Sequence, residues 1–283
     1  SNKLYKLLLE YTDKIERYSI DECFLDMTNY LMGDTLINKA KEINLRVKEE
    51  LGFTVNVGVA HNKLLAKMAS DFTKPDRVHT LYEEEIPNKM WNLPISELFM
   101  IGKRTVPKLY NMGIKTIGKL AKTDEELLIK KFGKFGKMMW EYANGIDNSS
   151  IESEPSQAKG IGNSTTLASD LTTAQEAYSI LLQLSTKVGH RLEKAGQSAN
   201  NLCVEIKYST FDKYTRQMPL SSPTQDGKKL YHAACHLFDT LWNGNPIRLL
   251  GVRAGKLTDA DEPVQLDLFS YDPKAIEKEQ KME

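Results

Sequence analysis

The chain has 283 residues, 41% of them hydrophobic and 27% charged, with 38 basic and 38 acidic residues and a formal net charge of zero, which is ordinary for a soluble globular protein of about two domains. No apolar run approaches the roughly 18 residues of a membrane span and no signal-peptide pattern opens the sequence, so no membrane partner is expected. The three cysteines, Cys23, Cys203 and Cys235, are odd in number and far apart, which argues against a disulfide framework and for a reducing, cytoplasmic location.

Residues 3–17 carry Leu4, Leu7, Leu8, Tyr11 and Ile15 at helical spacing, and the stretch YSIDECFLDMT that follows reads as a strand. Residues 35–51 return to a helix closed by Gly52, FTVNVGVA alternates as a strand, and NKLLAKMASDF is a helix ended by Thr73-Lys74-Pro75. So few strands leave sheet edges open, so further strands are expected elsewhere. Residues 92–145 read as all-helical, punctuated by glycines, and the polar, Ser-rich residues 146–160 are the best linker. Past it, strand GNSTTLAS, helix 173–195, strands LCVEIKYST and YTRQMPL, helix 226–242 and strand LLGVRAGKL give a β-α-β-β-α-β order. Residues 274–283 read as a helix cut short, and the chain opens Ser1-Asn2 without methionine, as expected of an expression scar or a processed fragment.

The zero net charge conceals strong segregation. Residues 103–137 carry 10 basic against 3 acidic residues, and residues 159–258 carry 12 against 7. Residues 1–98 carry 13 against 16, and residues 259–283 carry 3 against 8. Local fields govern polyanion binding, so the basic middle points to nucleic acid, while a solvated lysine-rich helical face is the plainer alternative. His232, Cys235 and His236 have helical spacing but no second ligand pair nearby, and read as solvated positions rather than a zinc site.

Asp21 and Glu22 are adjacent carboxylates in strand-like sequence. Strand neighbours point to opposite faces, so the two share a site only at a strand end, tight turn or bulge. Close carboxylates repel unless a cation compensates, and Mg²⁺ accepts one or two carboxylates together with substrate phosphates. The alternative is a pair of exposed turn or salt-bridge residues.

SIDE followed by aromatic-Leu-Asp resembles the second catalytic motif of the Y-family (translesion) DNA polymerases of the bacterial DNA polymerase IV and UmuC type. The resemblance continues in order through GVAHNKLLAKMASDFTKP, the helix-hairpin-helix segment IGKRTVPKLYNMGIKTIGKLA and the tail motif QLDLF. It implies an α+β, multi-domain fold: a partial palm sheet with helices (1–91), an all-helical thumb with a helix-hairpin-helix (92–147), a linker (148–159), a β-α-β-β-α-β little finger (160–258) and an acidic tail (259–283). By the same resemblance Asp21 and Glu22 are catalytic metal ligands for Mg²⁺ in a two-metal mechanism, and Lys74 contacts the incoming dNTP. Gly102, Lys103 and Arg104 form the DNA-gripping hairpin, where main-chain N–H groups approach a phosphate. Lys159, Ser164, Thr165, Lys207, Lys213 and Arg216 contact the primer–template DNA backbone. Gln265, Leu266, Leu268 and Phe269 bind the sliding clamp (beta subunit).

The implied role is DNA damage bypass and repair in the SOS response. Two departures stand out. The family usually has a glycine two residues before Gly102, where this chain has Met100. Nothing before Tyr18 resembles the family's first motif, hydrophobic-Asp-x-Asp-aromatic-aromatic, so the metal site is expected to be incomplete and the chain inactive alone. A non-enzymatic DNA- and clamp-binding protein is the competing expectation.

Overall fold

The computed structural model describes residues 1–29, 34–153 and 158–261. Its chain gathers into two compact units, Ser1–Pro155 and Ser156–Glu283.

In the first unit the order is α1 (Asn2–Leu8), β1 (Ile15–Arg17), β2 (Cys23–Leu25), α2 (Asp34–Leu51), β3 (Val57–Val59), α3 (Lys63–Ser70) and β4 (Val78–Thr80). The short helices α4 (Ile86–Lys89), α5 (Val106–Tyr110), α6 (Ile117–Ala121), α7 (Glu125–Phe132) and α8 (Lys134–Ala143) follow. β1 and β2 form an antiparallel hairpin pairing Ile15 with Leu25 and Arg17 with Cys23, while β3 and β4 pair in parallel. The helix expected over residues 3–17 therefore stops at Leu8, and its last three residues are strand. Ile15 fits either period and is almost fully buried, but pairing with β2 satisfies the backbone of residues 15–17 as strand. β4, three residues beyond a proline, leaves too short a pattern to read.

Two apolar cores serve this unit. Leu4, Leu7, Leu8, Tyr11, Ile15, Ile43 and Val47 form one beneath the hairpin and α2. The other unites α3, through Leu64, Leu65, Met68 and Ala69, with Leu81 and residues of the helical segment as far as Ala143. α3 thus packs into the helical core while its Lys63 and Lys67, four residues apart on another face, reach the hairpin.

The second unit is a four-stranded antiparallel sheet in the order β5 (Gly160–Leu171), β8 (Ile247–Asp259), β6 (Gln197–Tyr208), β7 (Lys213–Thr224). Helices α9 (Ala174–Lys194) and α10 (Gly227–Leu241) cover one face, as the β-α-β-β-α-β reading anticipates. Thr173 and Glu176 cap α9 reciprocally, and Asp226 caps α10 by accepting from Lys228 N. Leu202, Val204, Ile206, Leu250, Val252 and Ala254 alternate inward against Leu181, Val188, Leu230 and Phe238, leaving the opposite sheet face open.

Candidate functional site

The turn of the β1–β2 hairpin is Tyr18–Glu22. Tyr18 N and Ser19 N both donate to the Glu22 carbonyl, at 3.0 and 3.2 Å, which folds the loop tightly. Asp21 and Glu22 are consequently turn residues, and their carboxylates converge: the Ser19 hydroxyl donates to Asp21 Oδ1 at 2.7 Å and lies 3.4 Å from Glu22 Oε2. From α3, Lys67 Nζ reaches Glu22 Oε1 at 2.7 Å and Asp71 Oδ2 at 2.8 Å. Lys74 Nζ holds the other Asp71 oxygen at 2.8 Å. A line of alternating charges, Glu22–Lys67–Asp71–Lys74, therefore joins two of the residues singled out in the sequence through two that were not. Lys67 is 15% exposed. Burial pulls its pKa down, but the hydrogen bonds to Asp71 and Glu22 outweigh that and leave it above the ordinary lysine value. For Asp71 burial pushes upward, and Lys67 and Lys74 together hold the carboxyl below the usual range.

A second ion pair fastens the hairpin. Glu16 accepts from Lys63 Nζ at 2.6 Å and from Glu152 N at 2.9 Å, and Lys63 also donates to the Ser150 carbonyl. Among the described residues no three His, Cys, Asp or Glu side chains gather into a metal-binding group. The donor set nevertheless suits half of a divalent-cation site, because two hard carboxylates meet at the Ser19 hydroxyl and one of them, Glu22, already holds a cation, the Lys67 ammonium.

In the loop before α5, Gly102 accepts from Thr105 N and Val106 N. The amides of Gly102, Lys103 and Arg104 take no acceptor among the described residues, and all three residues are exposed. Nothing lies within 4 Å of a Cβ built on Gly102. Met100, at the position where the resemblance has glycine, adopts φ 70, so the left-handed backbone is kept without the residue that favours it.

On the open face of the second unit's sheet the register aligns three rows: Thr166–Leu249–Lys207–Lys213, Ser164–Gly251–Glu205–Thr215 and Gly162–Arg253–Cys203–Gln217. Ser164, Lys207 and Lys213 belong to this face, where Lys213 pairs with Glu205 at 2.8 Å. Thr165 and Arg216 do not. Thr165 faces a groove of about 250 Å³ between β5 and α9, and Arg216 donates to the Thr240 carbonyl at the end of α10, at 2.8 Å. Lys159 is exposed just before β5. Phe211, 60% exposed at the β6–β7 turn, lies 4.5 Å from Lys207 Nζ and 4.9 Å from Arg248 Cζ, whereas Tyr208 is buried in the core. Arg253 is the cation missed on the open face. Strict alternation in LLGVRAGKL, with Leu250, Val252 and Ala254 inward, would have found it. Gln265, Leu266, Leu268 and Phe269 lie outside the described residues.

Comparison with known proteins gives three matching family profiles: the impB/mucB/samB family over residues 1–71, the IMS family HHH motif over 83–114, and the impB/mucB/samB family C-terminal domain over 158–268. DNA polymerase IV of Clostridium acetobutylicum is 45% identical over 269 residues, covering 95% of this chain and 68% of the relative. DNA polymerase IV of Bacillus velezensis is 38% identical, with 96% and 66% covered. DNA polymerase IV 1 of Bacillus subtilis is 37% identical, with 97% and 67% covered. The chain thus spans about two thirds of the length of these relatives. Among solved structures, a Y-family DNA polymerase chimera of Dbh and Dpo4 superposes with a TM-score of 0.79 at 24% identity, covering 90% of this chain and 74% of that one, a likeness of fold.

Proposed function

This chain belongs to the impB/mucB/samB family, the Y-family DNA polymerases of DNA polymerase IV type, and on that footing we propose that it supplies the DNA grip and half of the metal site for template-directed nucleotidyl transfer during damage bypass. The observation that carries the reading is the convergence of Asp21 and Glu22 in one turn, linked by Lys67 and Asp71 to Lys74.

Asp21 and Glu22 would hold the divalent cation, taken as Mg²⁺, which when bound supplies charge neutralisation at the triphosphate and activates the primer hydroxyl. Lys74, 60% exposed and paired among the described residues with Asp71 alone, can turn to the phosphates of an incoming dNTP. The unpaired amides of Gly102–Arg104 and the cations Lys103 and Arg104 take a phosphate of primer–template DNA. On the open sheet face Lys207, Lys213 and Arg253 take further phosphates, with Ser164 beside them as a hydroxyl donor. Lys159 and Thr165 are assigned peripheral contacts, while Arg216 supports the unit by closing α10. Gln265, Leu266, Leu268 and Phe269 bind the sliding clamp, and the setting is the cytoplasm under the SOS response.

One observation favours the competing non-enzymatic DNA- and clamp-binding reading: no third acid joins Asp21 and Glu22 among the described residues. Primer extension separates the two. The chain is assayed in Mg²⁺ alone and mixed with a polypeptide carrying the N-terminal third of a DNA polymerase IV relative. Extension only in the mixture, abolished by Asp21→Asn with Glu22→Gln, is expected. Extension by the chain alone contradicts the half-site, and none in the mixture despite DNA binding favours the non-enzymatic reading.

A further inference from the structure

We propose that Lys67 is a resident counter-ion that holds Glu22 until a divalent cation arrives, and that Asp71 then receives it, so that this pair sets the cation affinity of the Asp21–Glu22 turn. The inference rests on the reading of that turn as a cation site. Two carboxylates meeting at the Ser19 hydroxyl repel each other, and Lys67 supplies the nearest compensation at 2.7 Å from Glu22. An incoming cation must compete with that ammonium for the same carboxylate.

Lys67 is 15% exposed, and an ammonium displaced from its partner in such a place is costly to leave unpaired. Asp71, one helical turn on, already accepts from it at 2.8 Å, and Lys74 loads Asp71 from the other side. Lys67 can therefore release Glu22 without losing all compensation, with little movement of α3. Removing Lys67 should free Glu22, and removing Asp71 should tie Lys67 more firmly to Glu22. Lys67 is thus a positioning residue whose effect passes through Glu22.

Mn²⁺ binding to the full chain, without nucleotide or DNA, is measured by titration calorimetry and water-proton relaxation. Lys67→Met is expected to tighten binding about tenfold, within the usual range for coupled sites, while Lys67→Arg stays within about twofold of the original. Asp71→Asn is expected to weaken binding about fivefold, and to have no effect once Lys67→Met is present. Unchanged or weaker binding in Lys67→Met overturns the proposal. So does an Asp71→Asn effect of equal size with and without Lys67, since that is a charge acting at a distance. Asp21→Asn with Glu22→Gln serves as the control. If this change leaves Mn²⁺ binding unaltered, the cation-site reading itself fails, whereas loss of binding there with a flat Lys67→Met response sinks only the counter-ion role.

Discussion

Glu85 shows how a single carboxylate fixes the chain beside the helical core. It accepts from Tyr82 N at 2.8 Å and Thr80 Oγ1 at 3.1 Å, and pairs with Lys89. Burial raises its pKa, but Lys89, the Tyr82 amide and Thr80 together leave it below the ordinary glutamate value. Its contribution is therefore present above the unfolded pKa of about 4.3 and is lost as pH falls through the lower folded value. Glu85→Gln should cost about 1 kcal/mol at neutral pH, with the difference shrinking as pH falls below the unfolded value of about 4.3 in urea unfolding at several pH values. Gly113 tests backbone alone. It has φ 77 behind α5, and a Cβ there meets nothing within 4 Å. Gly113→Ala should lower stability by about 1 kcal/mol, read as a thermal shift of a few degrees. Residue-level legibility was uneven. Asp21 and Glu22 could be singled out because adjacent carboxylates in strand-like sequence are unusual and the motif SIDE with the aromatic-Leu-Asp after it carries the family resemblance. Lys67 could not, because its partner Glu22 lies 45 positions away and no local pattern joins them.

Elements were legible in proportion to their length. The strands of the second unit run 12 or 13 residues, long enough to read despite their register shifts, and α9 announces itself by Thr173 and Glu176 at its start. The strands of the first unit are three residues each, too short for a period, so residues 15–17 followed the helical spacing of α1 in the sequence and the hairpin in the structure. Alternation also separates cations that share a strand neighbourhood. Arg216 pairs in register with the inward Val204, whereas Arg253 pairs with Cys203 on the open face. Arg216→Ala should loosen the end of α10, costing about 0.5–1 kcal/mol in thermal unfolding and leaving the salt dependence of DNA binding unchanged. Arg253→Gln should do the reverse, reducing the slope of log affinity against log salt by about 1 with stability little altered.

Across the whole molecule 38 positive and 38 negative charges cancel, and the proposed DNA grip rests on Lys103 and Arg104 in the first unit and, separately, on the cations of the open sheet face in the second. Fluorescence anisotropy of the chain on primer–template DNA from about 50 to 200 mM salt tests that arrangement most directly. Four or so phosphate contacts at about 0.9 each predict a log–log slope near −3 to −4, shallower by about 1 for Arg253→Gln. A slope near zero, or one that Arg253→Gln leaves untouched while binding persists, would contradict the claim that this chain grips DNA through its segregated basic surfaces.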